Sequence, residues 1–433
     1  MKWSNLEPNR TQLSFNRKTT CSSFTLLMKL SLQIAAHGVK VTFVNFEPIH
    51  DKIIASTPGI HGKQGLISCA SIFDGLELES DRNDAVEFTE STGRVMPGQL
   101  MNLIEKINQC NTTNKEQITC VIVDVSIGWA LEVAKNMGIE GVAVHTAGPA
   151  GLALALCVPQ LIKDEILGDD GTLLKGKSIS LSSEIPAWRK FEIPWITSSD
   201  IIMQKAIFKF VRTGLQNFKF ANLILSNSFD DLAPSALKLT PNILLVGLLL
   251  ASNHLGSFTR SFWPEDSTCL SRHDKQDAGS VIYNQPYRRK FIYKFPKGFT
   301  DRIADRGKII EWVPQEKVLA HPSVACFLSH CGWNSTMEGL SMRVPFLCWP
   351  YFADQFHNRI YICNVWNIGL PLTPNENGII TKHEISARKK TLISSDGIKA
   401  NVLDLKQVAR KSIDEARSSF KNLKSFIERI KAI

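Results

Sequence analysis

Polar residues follow two apolar runs in the segment 312–355 of this chain. The runs at 324–328 and 344–349 have the length and composition of buried parallel strands. Polar residues just past the carboxyl ends of such strands lie where open α/β sheets bind their ligands. Between the runs, Ser335 and Glu338 have the S-x-x-E spacing of a capping box, which predicts that a helix begins there. The free N–H groups and the positive dipole at its N-terminus suit a phosphate group.

The same segment contains six short motifs at fixed spacing. They are W-V-P-Q at 312–315, L-A-H at 319–321, H-C-G-W-N-S at 330–335, Glu338, V-P at 344–345 and D-Q at 354–355. This set resembles the signature box of the plant family-1 UDP-glycosyltransferases, and the resemblance extends over residues 27–283 and 295–433. It implies an enzyme that transfers a sugar, with Gln355 favouring glucose, from a UDP-sugar to a small lipophilic acceptor. The acceptor would carry a hydroxyl or carboxyl group, and the anomeric centre would be inverted.

The resemblance also implies a role for ten residues around the bound UDP-sugar. Trp312 would stack on uracil, Gln315 would lie beside the nucleoside, and Glu338 would accept hydrogen bonds from the ribose hydroxyls. The diphosphate would meet His330, Asn334 and Ser335. The sugar would meet Trp333, Asp354, Gln355 and Thr146. No metal ion or other cofactor is expected.

Each of these residues alone has an ordinary structural explanation. Glu338 would serve as a helix cap, Trp312 as a core residue and His330 as a buried imidazole. Independent structural requirements, however, would not bring the whole set together at these spacings. We therefore interpret the set as one UDP-sugar site.

Sugar transfer to a hydroxyl group requires a base that deprotonates the acceptor and a carboxylate that orients and stabilises this base. The resemblance implies that this carboxylate is Asp124, at the end of the apolar run 118–123. We expect Asp124 to face the interdomain cleft and water. The family carries the base histidine in a G-H-x-x-P turn, and Ser23 stands at that position here. Because a serine hydroxyl cannot replace an imidazole at neutral pH, we expect a poor catalyst.

A second departure from the family follows residue 283. Residues 284–294, with the sequence N-Q-P-Y-R-R-K-F-I-Y-K, stand in place of a glycine-serine loop, a helix and a central strand. We expect the neighbours of the lost strand to have unpaired edges unless they pair again around the gap. A smaller departure is Arg343 in place of a glycine, which costs about 1 kcal/mol if the backbone there needs a positive φ.

Two other interpretations follow from these departures. In the first, the chain is a pseudoenzyme that binds a nucleotide sugar without transferring it. In the second, the sequence joins exons wrongly near residues 25 and 284, where the family resemblance starts or stops abruptly. A transcript read across both junctions separates a real deletion from a joining error.

Helical and strand patterns alternate along the chain, which predicts an α/β fold with parallel sheets. The resemblance implies two facing doubly wound, Rossmann-like domains of the GT-B type. The expected division comprises an unmatched segment over 1–25, an acceptor-binding N-terminal domain over 26–252, a truncated UDP-sugar-binding domain over 253–400, and a helix over 401–433 that packs back on the N-terminal domain. The stretch 168–200, rich in Gly, Ser, Lys and Pro, predicts surface loops.

The composition excludes several classes of protein. The net charge is +9, but the Lys and Arg residues are scattered, so we expect no binding to nucleic acid. The ten cysteines lack metal-like spacing and suit free thiols in a reducing cytosol. The longest apolar stretch is too short to span a bilayer, and no secretory signal is visible. We therefore expect a cytoplasmic monomer, without membrane association, whose partners are the UDP-sugar and a small acceptor.

Overall fold

The structure is a computed structural model that describes most of the chain. The described residues are 15–48, 50–51, 66–77, 80, 85–110, 117–196, 200–240, 242–249, 280–284, 297–303, 307, 313–414 and 417–433. No helix within them combines the length and the apolar character needed to cross a membrane.

Helices and strands alternate through the first part of the chain. In chain order they are α1 (Phe15–Ala36), β1 (Val41–Phe46), β2 (Ile67–Ile72), α2 (Ala85–Cys110), β3 (Cys120–Asp124), α3 (Trp129–Asn136), β4 (Glu140–His145), α4 (Pro149–Lys163), β5 (Ser178–Ile179), β6 (Trp188–Arg189), α5 (Ile201–Asn217), β7 (Leu223–Ser226), α6 (Pro234–Lys238) and β8 (Ile243–Leu245). Single 3₁₀ turns follow β3, β6 and α5, at Val125–Ile127, Lys190–Glu192 and Phe218–Phe220.

The second part of the chain repeats this alternation. Its elements are β9 (Ser280–Asn284), α7 (Phe299–Ile303), α8 (Gln315–Leu319), β10 (Val324–Ser329), α9 (Trp333–Ser341), β11 (Phe346–Cys348), α10 (Gln355–Ile360), β12 (Gly369–Pro371), α11 (Lys382–Ser394), α12 (Asp396–Ser412) and α13 (Ser418–Ala432). A π-helical turn, Tyr361–Val365, continues α10.

Two four-stranded parallel sheets organise the molecule. The first has the strand order β3-β4-β7-β8, and the second has the order β12-β11-β10-β9. Strands β1 and β2 form a separate parallel pair, and β5 and β6 form a short antiparallel pair. The predicted α/β class with parallel sheets is therefore confirmed.

Helix α1 covers one face of the first sheet because its apolar residues recur at helical spacing. Leu26, Leu30 and Ile34 are buried against Val142 and Val144 of β4. The helix ends before Gly38, whose φ of +86° is the left-handed conformation typical of a helix C-terminus. The C-terminal helix α13 contributes to the same core through the following buried residues: Phe426, Ile427 and Ile430.

The structure differs from the expected domain division at two places, although the division itself stays a prediction. Helix α1 runs without a break from Phe15 to Ala36, so the boundary at residue 25 falls inside it. The expected helix over 401–433 is two helices, because α12 ends at Ser412 and α13 begins at Ser418. The expected linker around residue 253 lies outside the described residues.

The prediction of surface loops over 168–200 is wrong for several of its apolar residues. Ile179, Ile185, Trp188, Ile193 and Trp195 are buried in one core cluster beside α4 and α5. Ile179 and Trp188 are paired residues of β5 and β6, and both side chains point into this core. The polar composition concealed this pattern because only isolated positions of the stretch are apolar.

The second sheet has no gap between its described strands. Strand β9 pairs directly with β10, and β10 also pairs with β11. The prediction allowed for strands that pair again around the gap, and β9 pairs with β10 in this way while forming the edge of the described sheet. Arg343 has a φ of +63°, so the residue does occupy a conformation that favours glycine.

Candidate active site

The loop between β10 and α9 shapes one wall of the site. Ser329 Oγ accepts a hydrogen bond of 3.0 Å from the Cys331 backbone N–H, and Cys331 has a φ of +66°. Gly332 is the N-cap residue, and no side chain caps the helix. A Cβ at Gly332 would collide with the imidazole of His330, so glycine allows that ring to lie against the loop.

The prediction of a capping box at Ser335 and Glu338 is wrong. Helix α9 begins at Trp333 with Gly332 as its N-cap, three residues earlier than this pattern requires. Ser335 and Glu338 consequently lie within the helix, and their side chains take part in contacts with other elements. The backbone N–H groups at the start of the helix belong to the H-C-G-W-N-S motif, as a phosphate site requires.

Three residues predicted to bind the UDP-sugar are joined by hydrogen bonds. Gln315 Nε2 donates to Glu338 Oε2 at 2.7 Å and to Ser335 Oγ at 3.1 Å. Helix α8 positions Gln315 and helix α9 positions the other two residues. The structure therefore brings Gln315, Ser335 and Glu338 into one polar cluster.

A residue that sequence reasoning missed completes this cluster. Lys29 of α1 donates from Nζ to Glu338 Oε1 at 3.0 Å and to Glu316 Oε1 at 2.7 Å. The three residues are only 8%, 9% and 6% exposed, in the order Lys29, Glu338 and Glu316. Burial alone would lower the pKa of Lys29, but the two carboxylates raise it above its ordinary value. Burial raises the pKa of Glu338, and the ammonium of Lys29 opposes that rise.

The D-Q pair after β11 is held by the turn that precedes α10. Gln355 Oε1 accepts hydrogen bonds of 3.1 Å from the backbone N–H groups of Tyr351 and Phe352. The amide oxygen of Gln355 thus accepts two backbone hydrogen bonds, and its amide nitrogen is the hydrogen-bond donor of this side chain. Asp354 Oδ2 accepts from Asn358 Nδ2 at 2.9 Å, and burial raises the pKa of Asp354 to about 6.

We expected Trp333 to face the sugar, but its side chain is buried between the two sheets. Its indole is 5% exposed, and Nε1 donates a hydrogen bond of 2.9 Å to the backbone oxygen of Asn227, just after β7. The ring also packs against Gly148, where an added Cβ would lie 2.8 Å from it. Trp333 therefore joins the two sheets. Thr146, two residues before Gly148, is half-buried.

His330 and Asn334 lie in the loop and first turn at the start of α9. The ring centroid of His330 is 6.1 Å from that of Tyr351, and the ring planes meet at 36°. Asn334 follows Trp333 in the helix. Both residues are half-buried, and they lie beside the helix N-terminus as predicted for diphosphate ligands. Trp312 lies outside the described residues.

Asp124 is buried, although we expected it to face water. The residue is 2% exposed. Its Oδ1 accepts a hydrogen bond of 2.7 Å from the Ser126 N–H and so caps the turn Val125–Ile127. Oδ2 makes no hydrogen bond with any residue that the structure describes. The side chain was drawn inward because the turn that follows β3 needs an N-cap acceptor.

The neighbouring strand ends in a histidine that sequence reasoning did not select. His145 closes β4, and its Nδ1 lies 3.1 Å from the backbone oxygen of Ala147. Since a carbonyl oxygen only accepts, this contact places the proton on Nδ1 and leaves the lone pair on Nε2. Burial lowers the pKa of His145 to about 4, and the negative charge of Asp124 partly opposes this shift. The backbone at Ser23 is helical, so α1 replaces the turn that would carry the base.

Further contacts join the two halves of the described chain. Arg359 Nη2 lies 2.8 Å from Glu192 Oε1. The imidazole of His357 stacks on the indole of Trp188, with centroids 3.9 Å apart and planes at 11°. Neither ring nitrogen of His357 has a hydrogen-bond partner within the described residues, and burial lowers its pKa to about 3. Within the same residues, no cluster of three or more His, Cys, Asp or Glu side chains could hold a metal ion.

Comparison with known proteins decides the family. The model of the family described as "UDP-glucoronosyl and UDP-glucosyl transferase" matches residues 285–414. UDP-glycosyltransferase 83A1 of Arabidopsis thaliana is 34% identical over 439 residues, which is 94% of each chain. The chain belongs to the plant family-1 UDP-glycosyltransferases. Linamarin synthase 1 of Manihot esculenta, at 28% identity over 93% of each chain, is a more distant relative.

Solved structures confirm the fold of this UDP-glycosyltransferase. Os79 from O. sativa in complex with UDP has a TM-score of 0.77 at 20% identity and is matched over 94% of this chain and 97% of its own. Phytolacca americana UGT2, complexed with UDP-2fluoro-glucose and pterostilbene, has a TM-score of 0.76 at 21% identity, with 95% and 97% covered. The fold is the GT-B type with Rossmann-like domains. The chain is a transferase that acts on a UDP-sugar and a small molecule.

Proposed function

We propose that this UDP-glycosyltransferase transfers glucose from UDP-glucose to a small lipophilic acceptor with a hydroxyl or carboxyl group, with inversion of the anomeric centre. The observation that carries the proposal is the hydrogen-bonded cluster of Gln315, Ser335 and Glu338. The names of related proteins support it. One solved structure, at 22% identity, is a UDP-glucose: anthocyanidin 3-O-glucosyltransferase in complex with UDP.

Each part of the donor has a matching group in this arrangement. In this proposal Trp312 and Gln315 hold the uracil nucleoside, and the Glu338 carboxylate accepts from the ribose hydroxyls. The diphosphate lies at the N-terminus of α9, beside His330, Asn334 and Ser335, where N–H groups and the helix dipole favour anions. The sugar hydroxyls bond to the Asp354 carboxylate, the Gln355 amide nitrogen and Thr146. No metal ion is required by this set of groups.

The proposed reaction is a single displacement. The acceptor oxygen forms a bond to the anomeric carbon while the bond from that carbon to the diphosphate oxygen breaks, and UDP leaves with the electron pair. An acceptor hydroxyl must also lose its proton. Because Ser23 stands where the family carries the base histidine, this proton passes to a solvent water molecule, and Asp124 is the carboxylate that the family resemblance assigns to the step.

The test is a transfer assay with the full chain, UDP-glucose and a panel of phenols, terpenoid alcohols and aromatic acids. We expect a β-glucoside or glucose ester from the α-linked donor, with the anomeric configuration assigned by NMR coupling constants. UDP-galactose and UDP-glucuronate serve as competing donors. A product from another donor at an equal rate would contradict the sugar assignment. Binding of UDP without any product would instead favour the pseudoenzyme interpretation.

A further inference from the structure

Lys29 connects the N-terminal helix with the donor-binding segment through a buried ionic cluster. Its ammonium group reaches two carboxylates, Glu316 on α8 at 2.7 Å and Glu338 on α9 at 3.0 Å. These partners lie 287 and 309 residues away in the chain. The cluster is therefore a contact between the two halves of the molecule at the position of the proposed nucleoside site.

Each oxygen of the Glu338 carboxylate already accepts one hydrogen bond in this arrangement. Oε1 accepts from Lys29 and Oε2 accepts from Gln315. The side chain of Glu338 is only 12% exposed, so Lys29 takes one of the few acceptor positions that a ribose hydroxyl could reach. Lys29 and a ribose hydroxyl therefore need the same carboxylate.

The second carboxylate makes an exchange of partners feasible. Lys29 lies closer to Glu316 than to Glu338, and Glu316 makes its own hydrogen bond with the ammonium. When a ribose diol takes Glu338, Lys29 keeps a negative partner, so no buried cation is left unpaired. Glu338 in turn exchanges one charged donor for two hydroxyl donors and retains its bond to Gln315. The exchange therefore leaves no buried cation unpaired, which would be strongly destabilising, and the Glu338 charge is then stabilised by the neutral donors of the ribose and of Gln315.

We propose that Lys29 competes with the donor's ribose for Glu338, while Glu316 holds Lys29 once the donor has bound. This inference rests on the proposed function, because it takes Glu338 as the ribose acceptor. Lys29 is then a positioning residue on α1. Its contacts with Glu316 and Glu338 join the two halves of the chain, and they change when the donor binds.

Three proteins test the competition by calorimetric titration with UDP. Glu316→Gln removes the alternative partner, so Lys29 should hold Glu338 more firmly and UDP should bind more weakly than to the unaltered chain. The double variant Lys29→Met/Glu316→Gln removes the competitor and leaves the local charge at the same net value. It should bind UDP more tightly, by at least about fivefold, the lower end of the usual range for coupled sites.

An exposed ion pair provides the matched control. Lys175 Nζ lies 3.0 Å from Glu165 Oε2, and these side chains are 60% and 76% exposed. Lys175→Met/Glu165→Gln makes the same chemical change away from the cluster and should leave UDP affinity unaltered. Near-ultraviolet circular dichroism checks that each variant is folded. If the double variant does not fold, the UDP affinity of Glu316→Gln alone decides whether Lys29 competes with the donor.

The outcomes separate this inference from the function it rests on. UDP affinity that is equal or weaker in the double variant, or equal or tighter in Glu316→Gln, would overturn the competition by Lys29 while leaving the donor site in place. Weaker binding by the double variant would show that Lys29 assists the donor. If none of the proteins binds UDP, the proposed function fails and the competition fails with it.

Discussion

Trp333 donates a hydrogen bond of 2.9 Å from its indole Nε1 to the backbone oxygen of Asn227. The donor is the first residue of α9, at the proposed diphosphate site, and the acceptor follows β7 of the first sheet. Both residues are buried. One buried hydrogen bond thus joins the ligand-binding end of one sheet to the corresponding end of the other.

Removing this hydrogen bond should destabilise the fold. Trp333→Phe leaves the buried Asn227 oxygen without its donor, so we expect a loss of about 1–3 kcal/mol, measured by chemical denaturation. Trp188→Phe is the control, since Trp188 is fully buried but its Nε1 has no hydrogen-bond partner in the described part of the chain. An equal or larger loss in Trp188→Phe would contradict the importance assigned to the Trp333 bond.

Arg343 offers a stabilising substitution. Its side chain is exposed and its φ is +63°, a conformation that is costly for residues with a Cβ. Arg343→Gly should raise the free energy of unfolding by about 1 kcal/mol. Lys390→Gly removes the same charge from an exposed position inside α11 and should lower it by about 1 kcal/mol. The midpoint of thermal unfolding measures both changes. A midpoint that shifts in the same direction for both variants would refute this explanation.

His357 should make stability depend on pH. Burial lowers its pKa from 6.5 to about 3. As the pH falls below about 6.5, the unfolded chain therefore binds a proton that the folded chain does not, and stability is lost. His357→Phe keeps a ring against Trp188 and removes the titrating group. Denaturation midpoints measured between pH 7.5 and 4.5, roughly the window of this shift, should fall less in the variant, whereas parallel curves would disprove the assignment.

The serine at the base position predicts a preference among acceptors. A carboxylic acid with a pKa of about 4 is already ionised at neutral pH, so its transfer requires no base. An alcohol requires one, and general-base catalysis is worth about 10²–10⁴-fold in rate. With Ser23 at the base position, cinnamic acid should be glucosylated faster than cinnamyl alcohol, which has the same scaffold. Initial rates measured by chromatography compare the two, and faster reaction of the alcohol would reveal an efficient base.

Local patterns predicted much of the fold. The apolar runs that became β3, β10 and β11 were recognisable because buried parallel strands are nearly continuous apolar runs. The site motifs also identified Gln315, Ser335 and Glu338, which the structure brings together.

The features that sequence reasoning missed depend on contacts between distant residues. Nothing near Lys29 in the sequence indicates that it bonds to residues 287 and 309 positions away. The spacing of Ser335 and Glu338 suited a cap, but tertiary partners engage the Glu338 carboxylate. Asp124 lies at a strand end as predicted, and only the following turn explains why it points inward.

The central claim is that the segment around residues 312–355 forms a UDP-sugar site, and calorimetric titration of the full chain with UDP tests it most directly. We expect one UDP to bind per chain. Trp312→Ala should weaken binding by about 1–3 kcal/mol, the value of one aromatic stack on a base, and Trp312→Phe should retain most of the affinity. No UDP binding, or unchanged binding by Trp312→Ala, would contradict this account.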